Sequence, residues 1–239
     1  MNDLLELALD AHGGLDRWNK FNTVSVDMSL GGLAWTAFGH PDNPIAKTTY
    51  EAQLRSQRVS FNPFRVESQT ALMTPGAVSI SEGSKVLELL TDPRASYEKL
   101  ERGQAWTVPQ LLYFISYAVS TYLTIPFIFT LPGFVTEEIE PWEEAGEVWR
   151  RLKVTFPENW AYHTREQLYY FDRNGLLKRN DYQVDIIRGN GTAHYVFDYA
   201  DFQGIKLPTR RHVYGRDENR QYVKNPMRID VRMNQVKFA

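Results

Sequence analysis

The chain has 239 residues, 27 Lys and Arg against 29 Asp and Glu, and no cysteine. Its length suits one β-rich domain or two smaller ones, and 43% hydrophobic with 13% aromatic residues can build a core without metal or disulfide staples. The missing cysteine excludes disulfides, thiol nucleophiles, zinc–thiolate sites and a lipidated cysteine, and a net charge of −2 argues against a nucleic-acid partner.

The opening Met1-Asn2-Asp3-Leu4-Leu5-Glu6 lacks the basic region and long apolar run of a signal peptide, so the expected location is cytoplasmic. The same segment predicts a helix within residues 1–20. Asp3 can cap it, with Glu6 completing a capping box. Leu4, Leu7, Ala8 and Ala11 fall on one face, and Gly13-Gly14 ends it. Val24 to Leu30 alternates apolar and polar residues, as a half-buried strand does. Gly31-Gly32 then predicts a turn, and Ala34 to Phe38 a return strand. Between Ile45 and Leu90, short β-like runs are separated by Asn62-Pro63, Thr74-Pro75-Gly76 and Glu82-Gly83, which are turn signals.

The middle of the chain changes character. From Gln104 to Thr136 there is no charged residue, and Trp106, Tyr113, Phe114, Tyr117, Tyr122 and Phe127 all fall within the run. Pro109, Pro126 and Pro132 interrupt it too often for a transmembrane helix. A helix from about Pro109 to Ile125 fits, Pro109 suiting its first turn and Pro126 its end. Either it is plain core, or it lids a concave sheet and lines a cavity. Glu137 to Glu147 reads as an acidic, solvated loop.

The later residues are strands. Leu152, Val154 and Phe156 alternate with polar neighbours, and Tyr162–Phe171 and Leu176–Ile187 flank the turn Asp172-Arg173-Asn174-Gly175, predicting a bulged hairpin. Arg188-Gly189-Asn190-Gly191 joins Thr192–Tyr199 in the same style, and Asn190-Gly191-Thr192, though it matches a glycosylation sequon, reads as a turn. Ile205–Tyr214 and Arg228–Phe238 complete the set, with Pro208 marking an edge, start or bulge. Hairpin-linked strands make an antiparallel meander, and about ten of them must curl. The expected fold is therefore α+β and mainly antiparallel β. A single domain holds a strongly curved half-barrel sheet, an N-terminal helix, and a helical plug from the 104–136 insertion on the concave face.

In this arrangement the chain resembles the lipoprotein-localisation (LolA/LolB-like) superfamily. The residues behind the likeness are the helix running into Ala11-His12-Gly13-Gly14 and Trp18, the strand Val24–Leu30, the stretch Phe202-Gln203-Gly204-Ile205-Lys206-Leu207-Pro208, and the strand Arg228–Phe238. The resemblance implies a hydrophobic cavity that binds a lipid or another apolar molecule. It departs from the superfamily in lacking a signal peptide or lipidation cysteine, and in its more aromatic insertion.

The five histidines, His12, His40, His163, His194 and His212, stand in no metal-ligand spacing, and no nucleotide-binding or serine-hydrolase motif is present. No metal or cofactor is therefore expected. With the bulged register, Gln167 would lie opposite Asp181, Tyr169 opposite Arg179 and His163 near Asp185 on one face. His194 near Ile186 and Asp198 near Tyr182 would share the other. A one-residue slip exchanges the faces, so either set could decorate solvent or pack with satisfied hydrogen bonds. Pointed inward, His194, Tyr182 and Asp198, or His163, Gln167 and Asp181, could move protons on an apolar substrate. On the helix, Tyr113, Phe114 and Tyr117 share a flank, which suits either core or ligand wall. The stretch after Lys206 is moderately basic, through Arg210, Arg211, Arg216, Arg220, Arg228 and Arg232, and a minor reading gives it an anionic partner.

Three functions follow. The first is binding of a hydrophobic small molecule or lipid between the sheet and the insertion. The second is a cofactor-independent cyclase or isomerase in the same cavity. The third is an interaction protein or homo-oligomer that packs Trp106 or Phe127 on a partner.

Overall fold

The alternation of Val24, Val26, Met28 and Leu30 with polar neighbours places those four side chains on the inner face of strand β1 (Thr23–Gly31), where all are buried. From that strand the chain grows outward through β2 (Lys47–Gln53), β3 (Val59–Phe61), β4 (Gln69–Thr74), β5 (Ala77–Glu82) and β6 (Lys85–Thr91). After the insertion it resumes with β7 (Val135–Glu144), β8 (Glu147–Thr155), β9 (Glu166–Phe171), β10 (Leu177–Tyr182), β11 (Thr192–Phe202), β12 (Ile205–Arg216), β13 (Tyr222–Val223) and β14 (Ile229–Phe238). These form one 14-stranded sheet in the order β6-β5-β4-β3-β2-β1-β14-β12-β11-β10-β9-β8-β7, with β13 beside β12. The pairing is antiparallel, and the sheet is curved and unclosed. The computed structural model describes residues 2–101, 103–189 and 191–239. Met1 and Asn190, which belong to the expected leader-free start and the expected turn, lie outside them.

The strand order dictates where the insertion goes. Edge strands β6 and β7 lie at opposite ends of the sheet, so the residues between them must cross it. They do so as helix α4 (Val108–Thr124), after the helices α1 (Asp3–Ala11), α2 (Leu15–Trp18) and α3 (Ala34–Ala37). A capping box fixes the start of α4. The Thr107 hydroxyl accepts from the Gln110 backbone amide, and the Gln110 side chain returns a bond to the Thr107 amide. From Pro109 to Thr124 every residue of α4 is buried. The aromatic insertion is thus the plug expected from its composition, with Phe127 beyond it stacked on Trp18 of α2 at 4.3 Å.

Four expectations are corrected. Ala34–Phe38 is not a return strand but the short helix α3. Trp35 and Phe38 are three residues apart, so one helical turn buries both, and Gly32 at φ +105° redirects the chain against the backbone of Arg228. The cap of α1 is Asn2 rather than Asp3, its side chain accepting from the Leu5 amide at 2.8 Å. The acidic 137–147 stretch is no loop: most of it is edge strand β7. Its carboxylates face a basic neighbour, with Glu138 bonded to Arg150 at 2.7 Å and Glu137 paired with Lys153, and such opposite-charge pairs both hold and blunt an edge.

The last correction concerns register. Gly175, at φ +83°, closes the predicted turn, but the bulge between Leu177 and Arg179 sets Tyr169 opposite Asn180, Tyr170 opposite Arg179 and Leu168 opposite Asp181. Pairing with β11 then ends at Tyr182–Thr192, so His194 faces Asn180 rather than Ile186. Asn180, Tyr182 and His194 consequently share one face, while Arg179 and Asp181 take the other.

The two motifs behind the family resemblance meet in space. The Lys206 amide donates to the His12 carbonyl at 3.0 Å. Gly13 sits at φ +120° so close to Gly204 that a Cβ would come within 2.1 Å of its carbonyl oxygen, whereas a Cβ on Gly14 meets nothing. Gly13→Ala should therefore cost about 2 kcal/mol or more, lowering the melting temperature by roughly 5 °C or more. Gly14→Ala meets no atom and should cost only the strain of its φ +79°, ψ +154° backbone, about 1–3 kcal/mol, whereas Gly13→Ala adds the clash to backbone strain of its own and should cost more. Equal thermal shifts for the two variants would refute this contact.

Candidate ligand site between the buried helix and the sheet

Helix α4 has two unlike sides. One packs on β3, β4, β5 and β6. The other turns towards β9–β12, whose inner face carries Tyr169, Tyr182, His194 and Arg211. His163 joins them from the loop before β9, held where its carbonyl accepts from the Asp185 amide at 2.9 Å.

Aromatic rings fill this seam. The Tyr117 hydroxyl hydrogen-bonds with His163 Nδ1 at 3.1 Å, and the imidazole stacks on the Tyr182 ring with centroids 4.2 Å apart. The Tyr182 hydroxyl in turn bonds with His194 Nδ1 at 3.3 Å. The His194 ring meets Tyr122 edge-on at 4.7 Å, and the Arg211 guanidinium lies over the same Tyr122 ring, also at 4.7 Å. Arg211 Nη2 donates to the Tyr122 carbonyl at 2.8 Å, so the arginine ties the sheet to the last turn of α4.

Burial sets the protonation states. Desolvation pushes His163 down to about 3 and His194 well below its ordinary value, where the Arg211 charge depresses it further. Both imidazoles are neutral at neutral pH. The hydroxyls of Tyr117, Tyr122 and Tyr182 are raised by the same desolvation and stay protonated. Arg211 is lowered to about 10 by burial, yet remains cationic. It is 1% exposed, and among the described residues no carboxylate lies within salt-bridge distance of it. A buried charge without a counter-ion costs several kcal/mol, which the cation–π contact and one carbonyl offset only in part. Among the described residues, Arg211 Nε, His163 Nε2, His194 Nε2 and Ser116 Oγ have no hydrogen-bond partner.

Of the residues expected to line a ligand, Tyr117 and Tyr122 stand in this seam, and Phe114 borders it with its ring 5.6 Å from that of His163. Trp106 stacks on Phe38 at 3.9 Å and abuts Phe114 and Tyr97, Tyr113 leans on Tyr117, and Phe127 packs on Trp18. Trp106 and Phe127 are buried within their own chain and are not displayed to a partner. Two surface depressions, of about 260 and 540 Å³, are lined by Gly39–Pro44 with Arg65 and Val108, and by residues of β1 and β2 with Pro63 and Asn234. Neither is lined by any residue of the seam.

Of the expected catalytic candidates, His163, Tyr182 and His194 come together, drawn from both of the predicted sets. Asp181 and Asp198 do not join them. Asp181 lies on the convex face, where Arg179 grips it through Nε at 2.6 Å and Nη2 at 2.9 Å, alongside Tyr170. Asp198 pairs with Arg210 on the surface at 2.6 Å. Gln167 accepts from the Tyr169 hydroxyl. No group of three or more His, Asp or Glu among the described residues could hold a metal ion. No helix among them is long and apolar enough to cross a membrane.

Arg211 was overlooked because its neighbours make the stretch look like a basic surface. The signal was its parity. Ile205, Leu207, Arg211 and Val213 all fall on alternate positions, and His194 and Val196 of β11 pair with Val213 and Arg211.

No family model matches the sequence, and no curated protein matches it. Solved structures do. A LolA superfamily protein from Nitrosomonas europaea superposes with a TM-score of 0.54 at 15% identity, over 99% of this chain and 92% of that one. The chain has the LolA-like fold. Lower similarity extends to a DUF1329 family protein from Desulfovibrio piger (TM-score 0.47, 9% identity, 98% of this chain and 91% of that one). It extends also to an outer membrane lipoprotein-sorting protein domain from Vibrio parahaemolyticus (TM-score 0.48, 10% identity, 98% and 91%).

The neutral histidines give the LolA-like core an acid-sensitive seam. His12 and His163 titrate near 4 and 3 in the folded chain, and His194 is lowered too, against about 6.5 when unfolded. Below pH 6.5 the unfolded chain binds more protons, so stability falls as pH drops from 6.5 towards 3, by up to about 1.4 kcal/mol per pH unit for each histidine. Melting temperatures measured from pH 7 to pH 4 should decline, and His163→Phe should flatten the decline. A variant with the wild-type slope would contradict this assignment.

Proposed function

We propose that the protein binds a hydrophobic small molecule or lipid in the seam between α4 and the β9–β12 half of the sheet. One observation carries this reading. α4 is charge-free and buried from Pro109 to Thr124, yet one of its sides meets a cluster in which Arg211 Nε, His163 Nε2 and His194 Nε2 have no partner among the described residues. Small-molecule sites have this makeup, mostly apolar and aromatic with a few polar groups. The other side of α4 is bonded to its flanking loop, through the Tyr97 hydroxyl to the Gln110 carbonyl and the Gln110 side chain to Ser96. That fixes the N-terminal end as the hinge. A ligand would enter by parting Tyr117 and Tyr122 from the sheet, exchanging ring contacts for its own. The LolA-like fold is in keeping with this use of the concave face.

The alternative, a cofactor-independent cyclase or isomerase in the same place, is less well served. A general base works best with a pKa near the working pH, and His163 is pushed down to about 3. Neutral imidazoles and protonated tyrosines suit holding a ligand's polar group better than abstracting a proton.

Native mass spectrometry of gently extracted protein should show a bound apolar species. An environment-sensitive apolar fluorophore should bind the stripped protein saturably, with affinity about tenfold weaker in Tyr122→Ala, a loss of the size expected for one buried aromatic contact. Absence of both a retained ligand and saturable binding would refute the proposal.

A further inference from the structure

Resting on that binding reading, the chemistry of the seam's unpartnered atoms specifies one end of the ligand. An arginine has donors only. His194 Nδ1 and His163 Nδ1 are each engaged by a tyrosine hydroxyl. The atoms without partners among the described residues are Arg211 Nε, His194 Nε2 and His163 Nε2. Arg211 Nε is a donor in any case, and in the tautomer where each tyrosine hydroxyl donates to Nδ1 the two Nε2 atoms carry the imidazole hydrogens and are donors as well. The Arg211 guanidinium and the His194 ring flank the same Tyr122 ring, and their residues lie on neighbouring strands of one face.

The chain's other fully buried arginine shows the contrast. Arg179, on the convex face, is bonded to both oxygens of Asp181, to Glu144, to the Tyr195 hydroxyl and to the Arg220 carbonyl. There the sequence supplies two carboxylates. Around Arg211 it supplies rings. Donors grouped about an unpaired cation are complementary to an anion, and the surrounding aromatic wall is complementary to a chain.

We propose that the ligand is an anionic amphiphile, and that its carboxylate or phosphate head takes Arg211 Nε and His194 Nε2 while its apolar tail lies along α4. The head displaces the Tyr122 edge of the cluster and gives the buried guanidinium the counter-ion that no described residue supplies. Arg211 also donates to the Tyr122 carbonyl, so head binding and release of the end of α4 act on one residue.

The test uses the full chain, stripped of lipid, at pH 7.5. Hexadecanoic acid, hexadecan-1-ol and hexadecyl phosphate, each below its aggregation threshold, are titrated against the bound fluorophore. In the wild type at least one of the two anionic ligands should bind about tenfold or more tighter than the alcohol, and the comparison between them says which head is preferred. Arg211→Met should abolish that preference, bringing the ratio of anion to alcohol affinity to about one, while Arg211→Lys keeps part of it. Far-UV circular dichroism establishes that each variant is folded. The wild-type ratio decides the matter even if Arg211→Met fails to fold. Equal affinity for acid, phosphate and alcohol would overturn the anionic head and leave the apolar binding site standing. Failure of all three to bind would overturn both.

Discussion

An open, curled sheet has a concave face that must be shielded from water, and here the chain that shields it is obliged to cross from one edge strand to the other. β6 ends at one border and β7 begins at the opposite one, so the connection must cross the sheet, and it crosses as the buried helix α4. A segment in that position can afford no charge. The 17 residues of α4 carry none, and the capping box at Thr107 and Gln110 satisfies the end that would otherwise leave amides bare inside the protein. The arrangement of the two halves of the sheet, the burial of α4 and the location of the seam all follow from that crossing.

Crossing leaves α4 with two different neighbours. The β3–β6 half offers short strands with Val59, Phe61, Ala71, Met73, Val78 and Ile80 buried, an ordinary apolar bed. The β9–β12 half offers tyrosine, histidine and arginine. The contrast between Arg179 and Arg211 shows that this is not a general tolerance of buried charge. On the convex face the chain surrounds a buried guanidinium with carboxylates; on the concave face it surrounds one with π-faces and donors. Satisfied networks stiffen a fold, and incompletely satisfied ones concentrate where something else is to be held.

Much of the fold was legible because its signals are local. Alternation in Val24–Leu30 and in Ile229–Met233, the Asp172–Gly175 turn, and the prolines bounding the aromatic run each act within a few residues, and each element stands where those signals put it. What was not legible depended on non-local choices. Whether Ala34–Phe38 makes a strand or a helical turn depends on where Trp35 and Phe38 find a core, and only the helical turn brings both to one side. Whether Glu137–Glu144 is loop or strand depends on the cationic strand beside it. The register of β9 with β10 turned on a single bulged residue between Leu177 and Arg179, and that residue sent Asp181 outward and Tyr182 inward. The seam accordingly drew His163 and His194 from two sets that had looked separate. Arg211 was hidden among surface arginines, although its parity with Ile205, Leu207 and Val213 marked it as inward-facing.

The question that matters most is where a bound apolar tail lies, and photo-crosslinking answers it directly. A hexadecanoic acid carrying a diazirine near the middle of its chain, irradiated with the full protein and mapped by tandem mass spectrometry, should attach to residues of α4 between Tyr117 and Thr124 and to the facing strands around Tyr182 and His194. Attachment confined to the outer surface, such as the exposed leucines of β6 or the shallow depressions by Gly39–Pro44 and β1–β2, would contradict the seam as the binding site.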